Sequence, residues 1–342
     1  SNFISQSTPV TEIPIGSLGK IELPDYQQVN VTLSADMANT EATDSAVDAY
    51  IRSQLQSELK TVSGRGAGKG DTVTVDYLGL VDGASFTGNQ GTDYPIVLGS
   101  GQMLSDFEAA LYDTKEGDKV KAEVHFPDDY TAEKVAGKAA QFEITVKKLQ
   151  EPSVLDESFI AEHTRIGAVS ESDYREEIRS RLHAMYENQL QYSAVSAALS
   201  QLAANATLEP SAAFQNYLYQ YYKNDLDTFL AQNNMSMDDY KEQTGLDDKG
   251  VENAILTNVN NSIANLMVMR QIAEDQNLIN PDTMKDTLVT FLSDLYDTEV
   301  SKEDLEAAYG EETSQMELQA VVFEYLKNHV NISFQETEST GQ

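Results

Sequence analysis

The sequence has no cysteine, no tryptophan, four histidines and few cations: 23 Lys+Arg stand against 56 Asp+Glu, a formal net charge of -33 over 342 residues. Without thiols there is no disulfide framework, no thiolate metal site and no cysteine nucleophile, so folding must rest on packing. The histidines, His125, His163, His183 and His329, lie far apart and form no His-Glu-x-x-His pattern, and no cofactor or metal is expected. The deficit of cations counts against nucleic acid as a partner, because phosphate binding draws its free energy from Lys and Arg releasing counterions. An anionic membrane surface is disfavoured for the same reason. No apolar run reaches the about 18 residues that a bilayer-spanning helix needs. The length predicts two or three domains of about 100–200 residues each.

What is present falls into segments of different period. Residues 1–25 carry Ser, Thr, Pro and Gly between isolated apolar residues and are expected to form an irregular arm. Residues 26–62 read as a linker packing with the helical region. Alternation through Gln28 to Leu33 predicts a strand, and Thr43 or Asp44 caps a helix carrying Val47, Tyr50, Ile51, Leu55 and Leu59. Gly64-Arg65-Gly66-Ala67-Gly68-Lys69-Gly70 invites a phosphate-loop reading that fails on spacing, since Gly70 follows Lys69 where Ser or Thr is required; a mobile turn is expected instead. Over residues 63–150 the period becomes 2, with alternating runs at Thr72–Tyr77, Lys119–Phe126 and Ala140–Leu149, an Asp82-Gly83 turn signal and one short helix at Met103–Leu111. Antiparallel strands wrapped on a short helix make an α+β domain. Residues 151–335 are helical almost throughout. One long helix runs through Tyr174, Ile178, Leu182 and Leu202, Pro210 fits the first position of the next, and others are expected at Met237–Thr244, Gly250–Gln276, Pro281–Tyr296, Lys302–Tyr309 and Thr313–Asn328. Val330–Phe334 reads as a strand, and residues 336–342 as a disordered tail.

Val75-Asp76-Tyr77-Leu78-Gly79, Asp82-Gly83-Ala84-Ser85-Phe86, Leu98-Gly99-Ser100-Gly101-Gln102-Met103-Leu104, Phe126-Pro127-Asp128-Asp129-Tyr130 and Gln141-Phe142-Glu143-Ile144 occur in an order and spacing that resembles the FKBP-type peptidyl-prolyl isomerases, in the form carried by the trigger factor chaperones. Tyr26–Lys60 is similar to the linker of that family, and residues from about Val154 to Ser333 to its all-helical chaperone domain, carried by Asn205-Ala206-Thr207-Leu208-Glu209-Pro210 and by the final helix. The resemblance implies an α+β multidomain protein: an FKBP-like antiparallel sheet wrapped on a short helix, plus an all-helical chaperone domain of the trigger factor C-terminal type.

It also implies a peptidyl-prolyl cis-trans isomerase and chaperone acting on unfolded or newly secreted, proline-containing polypeptides. The implied pocket wall is Tyr77, Phe86, Phe107, Tyr130 and Phe142, with Thr87, Tyr94, Met103 and Leu104 contacting substrate. Phe107 takes a floor position where many relatives have Trp, and the Leu104 N–H and Tyr130 hydroxyl would be donors to substrate carbonyls. Taken without the family, aromatic residues alternating on strands are core. Thr87 departs from the family pattern, which places an Asp after the Phe, and points to weak activity. The alternative is a non-catalytic peptide-holding chaperone or binding module with a degenerate pocket. In the helical region Met235, Met237, Met267, Met269, Tyr217, Tyr219, Tyr221 and Tyr222 are either adaptable client contacts or helix-packing core. The family's ribosome-docking loop is not found, so no ribosome partner is expected. The missing ribosome-docking domain, the Ser/Thr-rich arm and the start at Ser1 suggest a trimmed bacterial lipoprotein, membrane-associated only through an N-terminal anchor, and an extracytoplasmic, cell-surface or secreted location; the alternative is cytoplasmic.

Overall fold

The computed structural model describes residues 3–337, and the expected tail at 336–342 falls mostly outside them. The chain divides into a helical unit, residues 1–41 with 181–342, and a sheet unit, residues 42–180.

In chain order the helices are α1 (Ile15–Leu18), α2 (Asp44–Ser57), α3 (Ser105–Ala109), α4 (Glu157–His163), α5 (Glu171–Asn205), α6 (Ala212–Gln232), α7 (Met237–Thr244), α8 (Asp248–Asp275), α9 (Met284–Tyr296), α10 (Lys302–Tyr309) and α11 (Ser314–Leu326). The strands are β1 (Gly19–Glu22), β2 (Val29–Leu33), β3 (Leu59–Thr61), β4 (Thr72–Leu80), β5 (Gln90–Val97), β6 (Lys119–His125), β7 (Ala139–Pro152), β8 (Thr207–Pro210) and β9 (Val330–Phe334).

The sheet unit holds five antiparallel strands in the order β3-β7-β4-β5, with β6 pairing the first half of β7. Strand alternation sends Val73, Val75, Ile144 and Val146 to one face, and that face buries them together with Phe107 of α3 and the following Leu111. At Val81–Ala84 the two-residue turn has positive φ at Asp82 (51°) and Gly83 (78°), the conformation an Asp-Gly pair adopts at low cost.

The glycine-rich segment is fastened, which corrects the expectation of a mobile turn. Arg65 grips the buried Asp71 with both terminal nitrogens, at 2.6 and 3.0 Å, and reaches Glu151 at 2.7 Å. The Gly68 N–H also donates to Asp71, at 2.7 Å, and Ala67 exchanges backbone bonds with Asp113 and Thr114. The stretch expected as a linker divides as well. Thr43 caps α2 by accepting from the Ala46 N–H, and α2 belongs with α4 and the start of α5: Arg175 pairs with Asp48, Arg179 with Asp44 at 2.5 Å, and the Tyr174 hydroxyl donates to Gln54 at 2.8 Å.

The helical unit is built around α6, α8 and α11, whose Phe214, Leu218, Met267, Ile272, Val322 and Leu326 are fully buried. The expected arm joins this core, because Val10, Ile13 and Leu18 are sealed from solvent and β1 pairs antiparallel with β8. Arg270 of α8, itself buried, donates to the Ile13 carbonyl at 2.6 Å and holds the arm down. Pro210 is not the first residue of a helix. It ends β8 opposite Gly19, and Ser211 caps α6 by accepting from the Phe214 N–H at 3.0 Å. Strands β2 and β9 pair in parallel.

The Arg65 guanidinium, with the Gly68 N–H, holds the Asp71 carboxyl below its ordinary range, against the opposing effect of burial. Its folded value is therefore lower than its unfolded value, and the stability it contributes is complete above about pH 4 and lost as pH falls through the depressed value. Asp71→Asn is expected to destabilise the sheet unit by about 1.5–3 kcal/mol in denaturant titrations at pH 7, with a shallower acid limb than the parent. Equal midpoints at pH 7 would contradict this assignment.

Candidate active site

The inward face of the sheet unit opens into a cup of about 450 Å³. Register explains which side chains reach it. Tyr77 on β4 lies between Gly91 on β5 and Ile144 on β7, and Phe142 on β7 lies between Gly79 on β4 and Ala122 on β6. Both glycines make room for rings: a Cβ on Gly79 would sit 2.4 Å from Phe142, and one on Gly91 would sit 2.5 Å from Tyr77. Phe107 rises from α3 to meet them, edge-to-face with Phe142 at 5.2 Å and with Tyr77 at 5.4 Å.

The ring chain continues outward. Phe86 stands edge-to-face with Phe142 at 6.2 Å and with Phe126 at 5.7 Å, and Phe126 meets Tyr130 at 4.9 Å. Such pairs prefer this offset geometry because the positive edge of one ring meets the negative face of the next, worth about 0.5–1.5 kcal/mol each beyond area burial. Phe107 is 1% exposed and Phe142 5%, so they form the floor, while Tyr130 at 37% stands on the rim. Tyr77, Phe86, Thr87, Met103, Leu104, Phe107, Tyr130 and Phe142 all line the cup. Tyr94 does not; its ring packs behind Tyr77 at 5.8 Å, outside the lining. Burial pushes the Tyr77 hydroxyl above its ordinary value, with Tyr94 adding to the effect, so both chemistry and geometry make it a neutral wall.

Three anchors hold the rim in place. Glu108, buried on α3, accepts from the Gly99 N–H at 3.0 Å and lies 3.5 Å from the Met103 N–H, tethering the loop that carries Met103 and Leu104. Asp106 accepts from the His125 N–H at 2.9 Å, and the His125 ring Nδ1 is 3.0 Å away, fixing the start of the Phe126–Tyr130 loop. That backbone N–H, then the ring, lowers the Asp106 pKa. The Gly137 N–H donates to the Pro127 carbonyl at 3.0 Å and closes the loop. Among the described residues, neither the Leu104 N–H nor the Tyr130 hydroxyl has an acceptor. Phe126 and Val135 also line the cup, and Glu108 and Asp106 position it; sequence reasoning missed these roles. Phe126 opens the quoted Phe-Pro-Asp-Asp-Tyr motif, which was the available signal. A broader recess of about 610 Å³ adjoins at Phe86 and Val135, but Asp82, Ser85, Lys134 and Lys138 also line it and Phe86 is its only ring, so the smaller cup is the candidate site.

In the helical unit, Met267, Met269 and Tyr217 are core, whereas Met235, Met237, Tyr219, Tyr221 and Tyr222 are half-buried. Burial lifts the Tyr221 hydroxyl to about 12, with Asp225 contributing. Large apolar groups left exposed here include Phe3, Phe229, Leu256, Tyr296, Tyr309 and Phe334, none expected from sequence as a client contact.

Residues 64–147 match the family model described as FKBP-type peptidyl-prolyl cis-trans isomerase, and residues 172–328 match that of the bacterial trigger factor protein C-terminus. The chain is trigger factor-like. The trigger factor of Agathobacter rectalis is 26% identical over 287 residues, covering 83% of this chain and 63% of its own length. That of Halothermothrix orenii is 28% identical over 253 residues, 72% of this chain and 57% of its own. A trigger factor from Streptococcus equi subsp. zooepidemicus is 34% identical over 186 residues, 53% and 43% of the two chains. The chain thus spans about three fifths of the length of the first two relatives. A solved structure of a trigger factor chaperone aligns over 90% of this chain and 70% of its own at 14% identity and a TM-score of 0.39, too loose to add to the fold argument. These relatives correct the expected location: trigger factors are cytoplasmic chaperones, so the extracytoplasmic, lipoprotein reading does not stand. Among the described residues, no helix is long and apolar enough to cross a membrane.

The two ring-facing glycines allow a direct check of the cup. Gly79→Ala must push the Phe142 ring off the floor, and is expected to cost about 1–3 kcal/mol of stability in denaturant unfolding and to weaken binding of a short proline peptide. Unchanged stability together with unchanged affinity would show that the ring does not depend on the glycine.

Proposed function

We propose that this trigger factor-like chain is a peptidyl-prolyl cis-trans isomerase and chaperone for unfolded, proline-containing polypeptides. Residues 63–150 form its isomerase domain, and the helical region contributes client contacts. The observation that carries the reading is the open, ring-floored cup with two unused donors at its rim. Rotation about an X–Pro bond meets a barrier of about 20 kcal/mol and breaks no bond, so neither nucleophile nor metal is required. The protein has to bind the twisted amide better than the planar one. The planar amide is charge-separated by resonance, and the twisted form has lost that dipole. A water-poor cup walled by Tyr77, Phe86, Phe107 and Phe142 therefore favours the twisted form.

In this reading the proline ring sits on Phe107 and Phe142. The Leu104 N–H accepts the role of donor to a substrate carbonyl and so orients the peptide across the cup. The Tyr130 hydroxyl donates to the carbonyl preceding the proline or its neighbour, from a rim held by Asp106 and His125. Thr87 lies in the lining and offers a hydroxyl where a carboxylate is expected from the family pattern; its neutral side chain leaves the donor work to Leu104 and Tyr130. Tyr94, behind Tyr77, stiffens the wall and does not touch substrate. Client binding beyond the cup falls to the exposed Phe229, Leu256, Tyr296 and Tyr309, whose isolated apolar faces suit extended, unstructured chains. With a net charge of -33, these residues are poor ligands for nucleic acid, and we infer no ribosomal RNA contact by them.

The intact floor and the free donors speak for catalysis over a purely holding role. In a proline-limited refolding assay, substoichiometric chain is expected to accelerate the slow phase. Tyr130→Phe should lower kcat/KM by up to about tenfold, as loss of one hydrogen bond allows. Phe107→Leu should lower it further without abolishing suppression of client aggregation. Suppressed aggregation with no acceleration by the parent chain would instead mark a peptide clamp.

A further inference from the structure

Away from the cup, the sheet unit brings together three side chains with metal-binding atoms. Glu58, at the C-terminal cap of α2, and the neighbouring Glu162 and His163, at the end of α4, each offer a donor atom, all within 4.8 Å of one another. No sequence spacing announces this group, because Glu58 and His163 are 105 residues apart.

His163 sets the group apart from a patch of surface carboxylates. Its ring stacks on Phe159 with centroids 3.9 Å apart and planes within 15°, and its side chain is only 17% exposed. The Nδ1 donates to the Phe159 carbonyl at 2.7 Å and the Nε2–H to Glu58 Oε1 at 2.5 Å, so an ion bound here takes the place of the Nε2 proton. A bond from one ring nitrogen to a backbone carbonyl is the arrangement that fixes the tautomer of a metal-binding imidazole and aims the other nitrogen at the ion.

We propose that Glu58, Glu162 and His163 bind a divalent transition cation such as Zn²⁺. One imidazole nitrogen and two carboxylates suit a borderline ion, whereas Ca²⁺ and Mg²⁺ call for a shell of six or more oxygens. Ligand bonds of about 2.0–2.2 Å are reached by small rotations of Glu58 and Glu162, which are both exposed. Three protein ligands leave the fourth tetrahedral position to water. The ion would join the end of α2 to the end of α4, two elements that share the sheet unit, and so stabilise it. The surplus of carboxylates across the chain raises the local concentration of cations and assists loading.

The test is thermal unfolding of the full chain, first stripped with EDTA and then titrated with ZnCl2 or MgCl2. About 100 μM Zn²⁺ is expected to raise the midpoint of the sheet unit by about 5 °C, with one ion bound per chain by calorimetry, and Mg²⁺ is expected to have no effect. Glu162 makes no side-chain hydrogen bond or ion pair among the described residues, so Glu162→Gln should leave the metal-free midpoint in place while removing the Zn²⁺ shift. His163→Gln should remove the shift as well, with some loss of metal-free stability. A shift of equal size in Glu162→Gln would place the ion elsewhere and overturn the proposal. No shift in the parent chain, or the same shift with Mg²⁺, would also overturn it.

Discussion

The edge-to-face contact of Phe107 with Phe142 is the constraint on which the cup depends. Phe107 comes from a helix of five residues, too short to hold itself, and Phe142 from the longest strand of the sheet. The two rings pack on each other and on Tyr77, with Phe86 against Phe142, and this packing leaves the centre of the sheet concave instead of filled. The glycines at 79 and 91 are part of the same constraint, since a methyl at either position would occupy the space of a ring. A cavity lined by rings stays poorly hydrated, because its walls offer water few hydrogen bonds. The same packing that stabilises the unit thus creates the medium that favours a twisted amide.

Polar groups act at one remove. Glu108 and Asp106 sit on either side of Phe107 in sequence and turn away from the cup, each spending its carboxylate on backbone N–H groups of the loops that form the rim. A three-residue stretch, Asp106-Phe107-Glu108, therefore supplies one of the two floor rings and two of the rim's three tethers. The helical unit uses a buried cation for a comparable purpose. Burial depresses the Arg270 guanidinium pKa, yet the side chain is retained inside because it donates to the arm's Ile13 carbonyl. In both units, charge is committed to fastening irregular backbone, and apolar surface is left open to solvent.

Much of this was legible in the sequence because local signals agreed. Helices α7 and α10 were read residue for residue, and each has a Ser N-cap whose capping box is completed by Asp239 or Asp304 and a glycine just past its end. Eight of the nine residues expected at the site line the cup, since strand alternation and motif order together fix which side chains face inward. What was illegible depended on distant partners. The arm looked irregular because its apolar residues follow no period, and only the core of α6, α8 and α11 gives Val10 and Ile13 a place. The glycine-rich loop looked mobile because spacing alone does not show Arg65 and the Gly68 N–H closing on Asp71, or Glu151, 86 residues away, joining them. Tyr94 looked like a rim residue because its inward neighbour Tyr77 cannot be seen from spacing alone. Location was misread from the Ser1 start, the Ser/Thr-rich arm and the ribosome-docking domain that was not found, features that do not fix a compartment.

The central claim is that proline turns over inside the ring-floored cup. Exchange NMR on a short X–Pro peptide with a small molar fraction of the chain measures this directly. The account predicts cis–trans exchange cross-peaks that appear only with protein, together with shifts in the Tyr77, Phe107 and Phe142 ring resonances on titration. Exchange without any perturbation of those rings, or perturbed rings with no exchange, would contradict it.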